Sequence, residues 1–125
     1  MTIHKIHKSS GNIIGFNVSG KLSDEDYKNL VIPEIEKAIE KFGEICLLWE
    51  MEKFHGWDAS AAWDDLKILR KYKKTIKRIA VVGDKDWERW LEKTVKLFTK
   101  AEVRYFDHAR RQRAWIWLKE QPEAK

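Results

Sequence analysis

The fold of this chain is constrained above all by three short apolar runs that are separated by segments of helical periodicity. The runs cover residues 45–51, 79–82 and 103–106. A nearly continuous apolar run of this length is typical of a strand that is covered on both faces. Between the runs, apolar residues recur at helical spacing over residues 59–73 and again from residue 86 onwards. The alternation predicts βαβ units, and therefore an α/β fold with a mostly parallel sheet.

The residues before the first run predict an N-terminal β-hairpin. Two short segments with β-branched residues, 3–7 and 12–18, are separated by a turn signal at residues 9–12. We expect Gly20 to end the second strand. The hairpin is expected to be the antiparallel part of a sheet of four to five strands.

A long helix is predicted between the hairpin and the first apolar run. Ser23 is expected to cap it, and the acidic residues 24–26 complement the dipole at its N-terminus. Pro33 disfavours helical geometry in the residue before it, so it is expected to kink this helix or to begin a second one. Gly43 is expected to end the helical segment.

Length and cysteine content favour one intracellular domain. A chain of 125 residues fits one domain, which we assign to residues 1–121, with a frayed tail at 122–125. The single cysteine, Cys46, excludes an internal disulfide and suits a reducing compartment. The first ten residues lack the apolar segment of a signal peptide. We therefore expect a soluble, cytoplasmic protein.

The charge of +5 is placed unevenly along the chain. Residues 1–62 carry seven basic and ten acidic groups, whereas residues 63–125 carry 18 basic and ten acidic groups. A basic half could attract an acidic partner, an anionic membrane surface or nucleic acid, but it also suits a solvated surface. The basic run from Lys67 to Arg78 contains a single aromatic residue, Tyr72, and no RNA-binding motif, which argues against nucleic acid.

A last helix is predicted over residues 109–120. Its core-facing residues are expected to be Ala114, Trp115 and Leu118. Arg110, Arg111 and Arg113 lie in its first turn, where the helix dipole disfavours cations. Their placement favours an acidic contact at this point.

Familiar catalytic and cofactor-binding motifs are absent from the sequence. It contains no glycine-rich phosphate loop, no Cys-x-x-Cys pair and no Gly-x-Ser-x-Gly elbow. We therefore expect no cofactor, no metal and no catalytic centre. One alternative stays open, namely a small enzyme that uses His55, Asp58 and Asp84 at one edge of the sheet.

Seven tryptophans make the chain unusual. Trp57 and Trp63 are expected to flank the turn after the first apolar run, and Trp87 and Trp90 to open the helix after the second. Both turns belong to the carboxyl edge of the predicted sheet, where ligands bind in open α/β folds. Phe54 and His55 belong to the turn after the first apolar run. We call them and the four tryptophans the aromatic rim: Phe54, His55, Trp57, Trp63, Trp87 and Trp90.

Two interpretations of the aromatic rim compete. Tryptophan joins a large apolar surface to one hydrogen-bond donor, which suits a protein interface, an apolar ligand or a membrane surface. The same rings could instead close the top of a small core. If all the rim tryptophans were buried, the binding interpretation would fail.

Four segments resemble the SpoIIAA-like family, whose fold is akin to STAS domains. They are residues 54–57 (Phe-His-Gly-Trp), 62–67 (Ala-Trp-x-Asp-Leu-Lys), 78–84 followed by Trp87, and 101–107 followed by an alanine–tryptophan–leucine helix. The resemblance covers nearly the whole chain. It implies a four- to five-stranded mixed sheet surrounded by helices, and a homodimer as the expected assembly.

The resemblance also implies a position for a regulatory serine. Anti-sigma-factor antagonists of this fold carry a phosphorylatable serine in Asp-Ser-Ser-Gly at a helix N-terminus. The corresponding stretch here is residues 58–61, Asp-Ala-Ser-Ala, which lacks one serine and the glycine and places Ser60 at the phosphoserine position. A helix N-terminus favours phosphate, whereas Asp58 and Asp64 would repel it. The alternative is an exposed serine at the start of a helix.

These observations predict a non-catalytic binding or regulatory module. Its partner would be another protein or a lipid-like apolar molecule that docks on the aromatic rim. Binding energy would be concentrated on a few tryptophans. Peripheral contact with a membrane is an extension of the same idea.

Overall fold

The computed structural model describes residues 3–6, 11–57, 59–83 and 101–120, and for residues 4, 53–57, 59, 62 and 65 it describes the backbone alone. Five strands lie within this part of the chain: β1 (Ile3–Lys5), β2 (Ile13–Leu22), β3 (Ile45–Trp57), β4 (Ile76–Gly83) and β5 (Glu102–Asp107). Its helices are α1 (Asp24–Asp26), α2 (Ile32–Phe42), α3 (Ala59–Lys71) and α4 (Arg111–Lys119). A π-helical turn (Tyr27–Val31) joins α1 to α2, and a 3-10 turn (His108–Arg110) precedes α4.

The strands form one sheet in the order β1-β2-β3-β4-β5. Strand β1 pairs with β2 in the antiparallel sense, and every other neighbouring pair is parallel. The predicted α/β class, the mostly parallel sheet and the antiparallel N-terminal pair are therefore confirmed. The predicted helix from residue 86 lies outside the described residues.

The central strand β3 separates two layers of core. Leu47, Trp49 and Met51 face one layer, while Cys46 and Leu48 face the other, as the alternation of side chains along a strand requires. Both sets are buried. The apolar run is continuous because both faces of the strand are covered.

Helices cover the described part of both faces of the sheet. Helices α2 and α3 pack on the first layer with the buried residues Ile35, Ala38, Ala61, Ile68 and Leu69. Helix α4 packs on the second layer with Ala114, Trp117 and Leu118. The parallel strands β2, β3 and β5 run in the same direction, and they precede α1, α3 and α4 in the chain. The starts of these three helices therefore all lie at the carboxyl edge of the sheet.

Two strands are longer than the sequence predicts. Gly20 does not end β2. It adopts a φ of +64°, and the register with β3 shifts on either side of it, so the strand bulges and continues to Leu22. This extension supplies a partner for the end of β3, where Leu22 pairs with Trp57. Residues 54–57 therefore belong to a strand, and the prediction that they form a turn is wrong.

The helical segment after β2 begins, divides and ends at the predicted residues. The Asp26 N–H donates to Ser23 Oγ over 3.3 Å, and the Ser23 N–H donates to Asp26 Oδ2 over 2.8 Å, which completes a capping box. Pro33 lies in the first turn of a second helix, α2. Gly43 ends α2 with a φ of +83°, and its N–H donates to the Ile39 carbonyl.

The last helix is shifted in phase from the prediction. Ala114 and Leu118 are buried as expected, but Trp117 is the deeply buried tryptophan and Trp115 is half-buried. The guanidinium carbons of Arg78 and Arg104 lie 4.9 and 5.0 Å from the centre of the Trp117 ring. Trp115 instead lies over Gly15, where a Cβ atom would be 3.0 Å from its Cη2 atom.

Candidate functional site

The structure settles the position of only part of the aromatic rim. The backbone of Phe54, His55 and Trp57 lies in the last four residues of β3, and their side chains are outside the description. Trp87 and Trp90 lie outside the described residues, as do Asp58 and Asp84 of the alternative enzyme site. Both that alternative and the full extent of the rim stay predictions.

Trp63 is the rim residue whose side chain is described, and it faces solvent. It is the fifth residue of α3 and is 58% exposed, because Ala61, Ile68 and Leu69 form the buried face of the helix. The Lys67 ammonium, one turn further on, lies 5.8 Å from the centre of the indole ring. Trp63 therefore does not close the core, and its ring lies on the surface near the carboxyl edge.

Ser60 lies one turn before Trp63 and is exposed. It is the second residue of α3, so its hydroxyl is at the N-terminal end of the helix. The backbone N–H groups and the helix dipole favour an anion at such a position. Asp64 follows one turn later, and its carboxylate would repel an anion bound at this position.

Two carboxyl groups meet where α1 packs against the start of α3. When one of the two is protonated, a hydrogen bond joins the side chains of Asp24 and Asp64, because two ionised carboxylates offer no donor. Burial, and then the Asp24 carboxyl, raise the pKa of Asp64. The bond to Asp64, and then Lys28 at 2.8 Å, lower the pKa of Asp24. Asp64 is therefore the carboxyl group that holds the proton more tightly.

The acidic pair lies between two lysines. Lys28 and Lys67 both lower the pKa of Asp64, although less than burial and Asp24 raise it. Asp64 Oδ2 is shielded from solvent, and no donor among the described residues reaches it. The sequence indicates Asp64 only as a residue that would repel phosphate. It gives no signal for the pair, because Asp24 is distant in the chain.

An ion pair between a buried glutamate and an exposed arginine lies near the same edge on the other face of the sheet. Glu50 is 7% exposed, and its Oε1 atom is 2.9 Å from Nη1 of Arg111. This contact accounts for an arginine in the first turn of α4 and confirms the expected acidic contact for Arg111. The sequence signal for Glu50 is its position as a single charge within the apolar run.

The ends of β4 and β5 are joined by Tyr105. Its hydroxyl group donates to the Gly83 carbonyl oxygen and lies 3.1 Å from Asp107 Oδ1. Tyr105 thus links the ends of the two strands, which suits a structural role. Within residues 3–6, 11–57, 59–83 and 101–120, no three His, Cys, Asp or Glu side chains are grouped so that they could hold a metal ion.

Comparison with known proteins identifies the family. A sequence model described as SpoIIAA-like matches residues 13–119. The chain belongs to the SpoIIAA-like family. The match includes every residue of the aromatic rim, Ser60 and the acidic pair, so the candidate site lies within the family's own domain.

Two solved structures are similar to this SpoIIAA-like chain. One is an uncharacterised protein with a SpoIIAA-like fold from Shewanella loihica, which is 30% identical over 93% of each chain, with a TM-score of 0.75. The other is the anti-sigma factor antagonist SpoIIAA in its unphosphorylated form, which is 15% identical over 95% of this chain and 99% of that chain, with a TM-score of 0.66. At 15% identity the second likeness shows the fold alone.

No curated protein matches the chain significantly. In the described residues, no helix has both the length and the apolar character that a membrane crossing requires.

Proposed function

We propose that this SpoIIAA-like chain is a non-catalytic module that binds another protein at the carboxyl edge of its sheet, with Trp63 as the central contact. The exposure of Trp63 carries the proposal. Exposed tryptophan is costly in water, and tryptophan is enriched among the residues that dominate binding energy in protein interfaces.

The surroundings of Trp63 suit an interface. Helix α3 is held on the sheet by Ile68 and Leu69, so the indole is presented from a rigid element. Lys67 and Ser60 flank the ring with a charge and a hydroxyl group, which supply the polar border that protein interfaces have. The side chains of Phe54, His55, Trp57, Trp87 and Trp90 would enlarge this surface in the proposed site.

The similarity of the fold to that of SpoIIAA supports a protein as the partner. The structural neighbour SpoIIAA is named as an antagonist of an anti-sigma factor, which is itself a protein. A lipid-like apolar ligand is the competing occupant of the rim, and the experiments below separate the two.

Site-specific photo-crosslinking tests the proposal in the cells that make the protein. A photoreactive benzoylphenylalanine in place of Trp63 is expected to form a covalent adduct with one discrete protein. The same group in place of Ile116, which is 55% exposed on the opposite face of the sheet, serves as the matched control. The purified partner should then bind the W63A variant about 30-fold more weakly and the I116A variant unchanged.

Two results would overturn the proposal. One is the same set of adducts from positions 63 and 116, which would mean collision without a specific surface. The other is unchanged partner affinity in W63A. Because Trp63 is exposed, the W63A variant is expected to fold as the parent protein does, and its thermal unfolding checks this.

Native mass spectrometry of gently purified protein tests the remaining parts of the proposal together. Its mass reports a retained apolar molecule, a second copy of the chain, or a phosphate, and mass spectrometry of the peptides then shows whether the phosphate is on Ser60. We infer that phosphorylation of Ser60 would regulate docking, because a dianion one turn from Trp63 alters the charge of the surface. An unmodified Ser60 under all growth conditions would contradict that regulatory role and leave the docking surface standing.

A further inference from the structure

A cavity lies at the opposite, amino edge of the sheet. It has a volume of about 390 Å³ and is formed between the last turns of α2 and the strands β1 and β2. Its lining residues are Lys5, Gly11, Ile14, Glu34, Lys37, Ala38, Lys41 and Phe42. This volume lies in the range of small-molecule sites, about 300–1,000 Å³.

The cavity carries an excess of positive charge. Lys5 Nζ lies 3.1 Å from Glu34 Oε2, so these two groups neutralise each other. Lys37 and Lys41 lie one turn apart on α2, and no carboxylate among the described residues is within 4 Å of either ammonium group. The net charge of the lining is therefore +2, and it resides on two neighbouring lysines.

The remaining surface of the cavity is apolar and accessible. Ile14 and Ala38 are each 5% exposed and form its inner wall, whereas Phe42 is 41% exposed at its border. The Lys41 ammonium lies 5.3 Å from the centre of the Phe42 ring. At Gly11, which has a φ of +57°, an added Cβ atom would meet nothing within 4 Å.

We propose that this cavity binds a small organic dianion with a compact apolar body, such as an aryl phosphate or an aromatic dicarboxylate. The two lysines match the two negative charges, and the apolar wall and the Phe42 ring match the body of the ligand. The negative end of the α2 dipole, which is equivalent to about half an elementary charge, disfavours an anion at this point. The two positively charged ammonium groups outweigh this effect.

The proposal does not depend on the function of the carboxyl edge. The cavity is formed at the ends of β1, β2 and α2 that lie away from Trp63 and Ser60. A failure of either proposal therefore leaves the other intact.

Titration with phenyl phosphate, followed by amide chemical shifts, tests the site. We expect the largest shifts at Gly11, Ala38 and Phe42. Phthalate is expected to shift the same amides, whereas inorganic phosphate, which lacks the apolar body, and benzyltrimethylammonium, which lacks the negative charge, are expected to bind at least about tenfold more weakly. A preference for phenyl phosphate over phthalate, or the reverse, identifies the headgroup.

Charge-matched variants decide whether the two lysines bind the ligand. The K37Q/K41Q double variant should bind phenyl phosphate about tenfold more weakly or worse. The K73Q/K74Q variant removes the same charge from exposed positions outside the cavity and should bind within about twofold of the parent. Equal weakening in both variants, shifts centred elsewhere, or no binding up to roughly 10 mM would overturn the proposal.

Discussion

At the scale of single residues, the acidic pair of Asp24 and Asp64 is the feature that responds most directly to pH. Asp64 has a raised pKa in the folded protein because it is partly buried and hydrogen-bonded to Asp24. A carboxyl group whose pKa is raised on folding stabilises the native state most when it is protonated. Its contribution is complete below the ordinary value of 3.8 and is lost as the pH rises through the raised value.

We predict that D64N gains stability over the parent protein as the pH rises. The amide can donate to Asp24 at any pH, and Lys28 and Lys67 then face one carboxylate where the parent has two. The melting temperature of D64N should exceed that of the parent by a few degrees at pH 7 and match it near pH 4. Thermal unfolding by circular dichroism at both values measures the difference.

Glu25 provides the matched control for D64N. It also lies on α1, and its side chain is exposed. E25Q removes the same charge and should change the melting temperature equally at both pH values. If D64N were less stable than the parent at pH 7, the shared proton would not govern this contact.

At the scale of secondary-structure elements, the docking of α4 on the sheet depends on the pair Glu50–Arg111. Glu50 is buried in β3, while Arg111 remains partly exposed, so removal of the arginine leaves a shielded carboxylate without its partner. We predict that R111M lowers the free energy of unfolding by about 1–2 kcal/mol, which is less than for a fully buried pair.

A double-mutant cycle separates the pair from the rest of the helix. E50Q/R111M should recover part of the loss, because the shielded group is then neutral. R113M is the control: Arg113 lies on the same helix, is exposed, and has no carboxylate of the described residues within 4 Å. It should change the unfolding free energy by no more than about 0.5 kcal/mol in urea denaturation. Equal losses for R111M and R113M would contradict the assigned role of the ion pair.

The elements themselves were predictable wherever a local pattern defines them. The run Ile45–Met51, the cap at Ser23 and the end at Gly43 each have a signal within a few residues. The extension of β3 to Trp57 has no such signal, because it depends on pairing with β2 beyond the bulge at Gly20. Pairing between segments that are distant in sequence is set by tertiary structure, which periodicity does not report.

The carboxyl edge was predictable from the sequence, and the docking site expected there stays a prediction. The carboxyl edge follows from the parallel sheet, and the exposure of Trp63 is compatible with its helical phase. The burial of Trp117 in place of Trp115 depends on contacts with Arg78 and Arg104, which come from two different strands. The amino-edge cavity likewise joins β1, β2 and α2, so no single stretch of sequence indicates it.

At the scale of the whole molecule, the two edges of the sheet have different chemistry. The carboxyl edge presents an exposed tryptophan, a serine and a pair of adjacent carboxyl groups, whereas the amino edge presents two lysines around an apolar wall. The central strand β3 lies between them, and its segment Ile45–Met51 is buried on both faces. The reactivity of Cys46, at the start of this strand, therefore reports on the unfolding of the whole domain.

We predict that Cys46 reacts with iodoacetamide only when the whole domain unfolds. The side chain has no exposure, and burial raises its thiol pKa to about 11. At pH 8 the native thiol is thus shielded and protonated, and the thiolate is the reactive form. Because β3 is the central strand, local fraying does not expose it, and the alkylation rate should rise with urea with the full slope of global unfolding.

A surface cysteine calibrates this measurement. In a C46A/I116C variant the thiol replaces a residue that is 55% exposed, and it should react at the rate of a free thiol without urea. The raised pKa of Cys46 also sets a sign for pH: its contribution to stability is present below 9.0 and is lost as the pH rises through about 11. An alkylation rate for Cys46 that does not change with urea would mean that β3 opens locally, and the two-layered core would then not be one cooperative unit.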